Sequence, residues 1–145
     1  KPKTTCSILL MLGIFHFAFP RYIVATGSMD PTIPKGSYVI AIREELLIHG
    51  PSKGDIVVFE QVDGISPHPW IHRIIAVSGD EFTPLDRKGR IDTNRNADLS
   101  NNLNITNIPE GFVHQSGDSN TSYHGLAKEE LILAKVIFHF KLPWK

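Results

Sequence analysis

A serine able to act as a nucleophile stands in the run Ala25-Thr26-Gly27-Ser28-Met29-Asp30-Pro31-Thr32. Gly27 before Ser28 and Pro31 after it describe a tight turn that presents a hydroxyl at a strand edge. A serine hydroxyl attacks a carbonyl only when a base removes its proton and donors converge on the oxygen that becomes negative. Thr26 offers a hydroxyl two residues upstream, and Ser28 offers its own backbone N–H. Read from the pattern alone, the run is a Ser/Thr turn first and a nucleophile second.

Seven histidines are candidate bases. His16 falls in an apolar helix, His49, His68 and His114 sit near turns or strand ends, and His139 lies in a terminal apolar strand. His72 differs. It is mid-strand, is followed by Arg73, and leads toward the turn Ser78-Gly79-Asp80.

The elements that must hold these groups are mostly strands. Tyr38–Ile42 and Asp55–Phe59 are rich in β-branched residues and bounded by Gly36, Gly50, Pro51 and Gly54. Trp70–Val77 predicts a third strand, and its alternation sends His72, Ile74 and Ala76 to one face and Arg73, Ile75 and Val77 to the other. Phe112–Gln115 predicts a short strand entering the polar turn Gly117–Ser122, and Leu131–Phe140 a long apolar one. Asp86–Asn107 is polar without a period and reads as a surface excursion.

The N-terminus departs from this pattern. Lys1-Pro2-Lys3 precedes an apolar run, Thr4–Phe19, closed by Pro20-Arg21. Extended through Val24, it approaches the ~17–25 residues that cross a bilayer, and the lysines fit a cytoplasmic N-terminus. A cleaved leader has a similar layout, as does a buried helix, but no small-x-small site follows the run cleanly and Pro20 ends it. The expectation is a membrane anchor over 1–23 and an extracytoplasmic domain over 24–145. The chain has 145 residues, 41% hydrophobic and 21% charged, with 15 Lys plus Arg balancing 15 Asp plus Glu. That balance gives no basis for a nucleic-acid partner. One cysteine, Cys6, excludes an intrachain disulfide and a cysteine-based zinc cluster.

Taken in order, these segments resemble the type I signal peptidases over nearly the whole chain. The run around Ser28 is similar to the family's nucleophile box, and Lys53–Phe59 to its next strand. Trp70–Asp80 resembles the base-bearing strand. Pro109–Asp118 resembles the final box, and Leu126–Val136 the closing strand.

The resemblance implies a mainly β catalytic domain on one N-terminal transmembrane helix, single-pass in the cell membrane. It implies a serine endopeptidase that removes signal peptides from exported precursor proteins, with the lipid bilayer as its other partner and no metal or organic cofactor. Ser28 takes the nucleophile position and His72 the general-base position, where many bacterial members carry lysine. Thr26 and the Ser28 N–H form the oxyanion hole, Arg73 and Asp118 match a supporting ion pair, and Ser122 a serine that orients the base. Met29 and the Ile56–Val58 strand are expected as walls for small substrate side chains. His124 stands where the family has an aspartate, so a carboxylate for His72 comes from Asp118 or is missing. Two other readings stand beside this one: an inactive membrane-tethered binding protein on the same scaffold, and a processing peptidase dedicated to one exported substrate.

Overall fold

The computed structural model describes residues 2–62, 67–81 and 107–141. Most of the polar excursion, including its first residue Asp86, lies outside them. Helix α1, Pro2–Ala18, has 17 residues. Its apolar residues point in every direction, and Ile8, Leu9, Leu10, Met11, Leu12, Ile14, Phe15 and Phe17 are each more than half exposed. The helix rises about 26 Å against the about 30 Å of a hydrocarbon core. Among the described residues no helix is long and apolar enough to cross a membrane.

Pro20, which lacks an N–H, follows the helix end. There Arg43 reaches back from the sheet: its Nε donates to the Phe17 carbonyl at 2.7 Å, and its guanidinium lies 4.4 Å from the centre of the Phe17 ring. An orphan carbonyl of the last turn is thereby satisfied by a cation, the charge that a helix C-terminus favours.

The rest of the described chain forms one antiparallel sheet. Its strands are β1 (Arg21–Ile23), β2 (Ser37–Arg43), β3 (Ile56–Val62), β4 (Pro67–Ala76), β5 (Phe112–Ser116), β6 (His124–Lys128) and β7 (Ile132–Lys141). Across the sheet they run β1-β2-β7-β3-β4-β5-β6, so the last strand is inserted between two early ones. The mainly β architecture follows the β-branched runs. Strand β1 directly follows the apolar helix, and the segment Leu126–Val136, which resembles a single closing strand, is divided between β6 and β7.

Both faces of the central strands are covered. On β3, Val57 and Phe59 pack with Ile74, Val113 and Ile132 on one side. Val58, which points the other way, packs with Ala41 and Ala134. Register shifts at Ile40/Ala41, Val58/Phe59 and Ile74/Ala76 bend the strands. The segment after β1 lies over Val39, where Val24, Met29 and Ile33 form a third buried cluster.

Candidate active site

Ser28 is held in a turn fastened from beneath. Met29 and Ile33 are wholly buried, the Ile33 N–H donates to the Met29 carbonyl at 2.9 Å, and the Asp30 N–H donates to the Gly27 carbonyl at 3.1 Å. An alternating pattern thus sends Met29 into the core and leaves Ser28 half-buried above it. Thr26 Oγ1 donates to Ser28 Oγ at 3.3 Å. Met29 is therefore the floor of the turn rather than a wall beside it.

A second loop closes on this turn. The Ser119 N–H donates to the Ser28 carbonyl at 2.9 Å, and the loop is folded by Gly117 N–H to Tyr123 O and Ser122 N–H to Ser119 O. Gly117 makes the approach possible: a Cβ there would overlap the Ser28 carbonyl oxygen and the Ser122 side chain. The polar turn after β5 is thus seated against the Ser28 turn by backbone contact.

His72 enters from β4, where alternation with Ile74 directs it inward. It is only 2% exposed. The Phe59 and Trp70 rings lie 5.9 and 5.4 Å from its imidazole, centre to centre. Its Nε2 faces Ser122 Oγ at 3.4 Å, and its Nδ1 makes a hydrogen bond to Gln115 Oε1. Sequence reasoning does not single out Gln115. The available signal is a long polar side chain on an otherwise apolar strand, which carries little information without the cross-strand register.

Arg73, on the opposite face of β4, binds Asp118 through two hydrogen bonds, Nε to Oδ1 at 3.0 Å and Nη2 to Oδ2 at 2.8 Å. Its Nη1 donates to the Gly54 carbonyl at 2.9 Å. The hydrogen bond to Asp118 holds the guanidinium still more firmly protonated than usual. Fork-to-fork geometry of this kind joins the turn before β3 to the loop after β5. Both oxygens of Asp118 are engaged by Arg73, and it is Gln115 that meets His72 Nδ1. Asp118→Asn keeps the shape and removes the charge, and is expected to lower stability by about 1–2 kcal/mol, the scale for a charge-assisted bond discounted for partial exposure. A urea unfolding midpoint unchanged from wild type would show the pair to be energetically idle.

His124 lies elsewhere. Its ring meets His114 edge-on at 5.7 Å, on the strand pair β5–β6. Burial, and then the charge of His124, push His114 down to about 4.

Ser28, Thr26, His72 and Ser122 line one open cleft of about 920 Å³. One bank runs from Tyr22 to Ser28 and also carries Asp30, the other from His68 to His72, with Ser119, Thr121, Ser122 and Tyr123 at the end. Ile56–Val58, expected as a wall, is set back in the sheet, and Val57 and Val58 are buried. Trp70 stacks edge-on with Tyr123 at 5.7 Å, giving that end an aromatic rim. Among the described residues no group of three or more His, Cys, Asp or Glu is placed to hold a metal.

The arrangement brings a turn serine, a buried imidazole and a convergent hydroxyl to one concave surface. Known proteins resemble the chain that carries it. It is similar to the probable signal peptidase I-1 of Synechocystis, with 28% identity over 92% of this chain and 76% of that protein. The probable signal peptidase I-2 of the same organism is 29% identical over 52% of the chain and 36% of its own length. The signal peptidase I of Aquifex aeolicus is 31% identical over 58% and 34%. The sequence profile of the signal peptidases, peptidase S26, matches residues 3–96, a span that includes Thr26, Ser28, His72 and Arg73. The chain belongs to the signal peptidase family, peptidase S26.

Proposed function

We propose that this protein is a membrane-tethered serine endopeptidase that cleaves signal peptides from exported precursors. The observation that carries the reading is the seating of Ser28 and His72 on one cleft within a family whose named members are signal peptidases. An extended precursor segment lies between the Tyr22–Ala25 bank and the His68–Ile71 bank. Ser28 Oγ attacks the scissile carbonyl, and its proton passes to Nε2 of His72. Negative charge on the carbonyl oxygen is met by the Thr26 hydroxyl and the Ser28 N–H. His72 then returns the proton to the leaving amine, and water releases the acyl group by the same route in reverse. The apolar exposure of α1 on every side supports contact with lipid rather than with the sheet. Lys1 and Lys3, which flank the apolar run, fit that flank on the cytoplasmic side with the domain outside.

The test is incubation of the detergent-solubilised protein with a preprotein, followed by N-terminal sequencing of the product. Cleavage after a small residue at the end of the apolar leader is the expected result. Stable capture of the precursor without cleavage would instead establish a binding protein on this scaffold. In the same assay Thr26→Val preserves shape and removes a donor used mainly in the transition state. It is expected to lower kcat by about 10²–10³-fold, while Thr26→Ser stays active. Unchanged turnover in Thr26→Val would make that hydroxyl a bystander.

A further inference from the structure

A histidine can act as a base at one nitrogen only if its proton is kept on the other. His72 and Gln115 are each 2% exposed, on the paired strands β4 and β5. Gln115 stands opposite Ile74, and His72 precedes Ile74 by two residues on the same face. This is the diagonal position that a long side chain reaches across an antiparallel pair. The hydrogen bond joins Gln115 Oε1 to His72 Nδ1. An amide oxygen accepts and cannot donate, so the proton of this bond belongs to Nδ1. Nε2 is then the unprotonated nitrogen, and it is the one turned to Ser122 Oγ at the cleft.

Building on the serine-peptidase reading, we infer that Gln115 is the positioning residue that fixes His72 in the Nδ1-protonated tautomer. In Ser-His-Asp sites that task falls to a carboxylate. An amide performs it without placing a negative charge beside the imidazole.

Around it, among the described residues, stand the titratable and charged groups His68, Tyr123, Asp118 with Arg73, and His114 with His124. His68 and Tyr123 line the same cleft as His72, and both pack on the Trp70 ring, at 6.1 and 5.7 Å. Asp118 is engaged by Arg73. His114, next to Gln115 along β5, packs on His124.

Two measurements test this. In the full chain with ¹⁵N-labelled histidine at pH 8, His72 is expected to show a protonated Nδ1 and an unprotonated Nε2. Gln115→Leu keeps the volume, removes the acceptor, and should abolish that preference. In precursor cleavage Gln115→Leu is expected to lower kcat by about 10²-fold, within the usual range for general-base catalysis, with little change in KM. Gln115→Glu restores an acceptor and should recover most of kcat. Its added charge should move the acidic limb of the pH profile up by about one unit or more. A protonated Nε2 in the wild type overturns the inference. So does Gln115→Leu that folds and keeps the wild-type kcat and acidic limb. A wild type that holds the Nδ1 proton yet cleaves no precursor supports the tautomer assignment and removes the peptidase reading alone.

Discussion

Ser28→Ala is expected to fold as the wild type does and to reduce precursor cleavage by about 10⁶-fold, the scale found when a serine nucleophile is removed from other hydrolases. Only the Oγ atom is deleted. The turn stays fastened through Met29 and Ile33 in the core, and the Ser28 carbonyl still accepts the Ser119 N–H. The substitution removes the 3.3 Å hydrogen bond from Thr26, made between half-open side chains, so the urea midpoint should scarcely move. Turnover and midpoint measured together separate chemistry from folding. An alanine variant that cleaves at the wild-type rate would place the nucleophile elsewhere and undo the mechanism.

Changing His72 is expected to have the next largest effect, and its pH dependence carries the sharper information. An ordinary histidine titrates near ~6.5 and is mostly neutral, hence able to accept a proton, at pH 7. The sign follows directly: kcat/KM falls as pH drops through the free-enzyme pKa of the base, because the protonated imidazole has no lone pair left at Nε2. His72→Ala should remove that limb and about 10²–10⁴-fold of the rate. His72→Lys, whose amine ordinarily titrates near ~10.4, should shift the acidic limb of any surviving activity upward. His124→Ala should be mild, since His124 packs against His114. If His124→Ala were dead while His72→Ala kept its rate and acidic limb, the base would be the other histidine.

Residue patterns within a segment encode most of the strands, whereas the contacts between strands depend on register. The strands β2, β3, β4, β5 and β7 are legible because their β-branched residues lie between glycine and proline breaks. Strand β1 is not, because Arg21–Ile23 continues the apolar run of α1 and only Pro20 marks the change. Ser28 and His72 can be singled out from the order of their boxes, and the structure puts both on one cleft. Met29 takes a different place from the one expected, since a residue next to Ser28 is as well suited to anchor the turn as to line a pocket. Gln115 is invisible for another reason. Its meaning lies in the pairing of Ile74 with Gln115 and in a diagonal reach between two strands, which no spacing within one strand reports. Likewise Asp118 can be paired with Arg73 by resemblance, but only the folded geometry reveals that both carboxylate oxygens are already engaged.

The hydrogen bond from Ser119 to Ser28 ties an early segment of the chain to one of its last hairpins. Contacts so distant in sequence form late, because the entropy of closing the intervening chain is given up before they return any stabilisation. A nascent chain therefore displays its serine long before β5 and β6 exist to bring the imidazole's partners to it. If Ser28 is the nucleophile, as proposed, its hydroxyl lacks a base until those partners arrive, while unfolded polypeptide surrounds it. On the proposed serine-peptidase reading, folding itself would serve as the safety catch, since closure of the sheet and assembly of the cleft are one event.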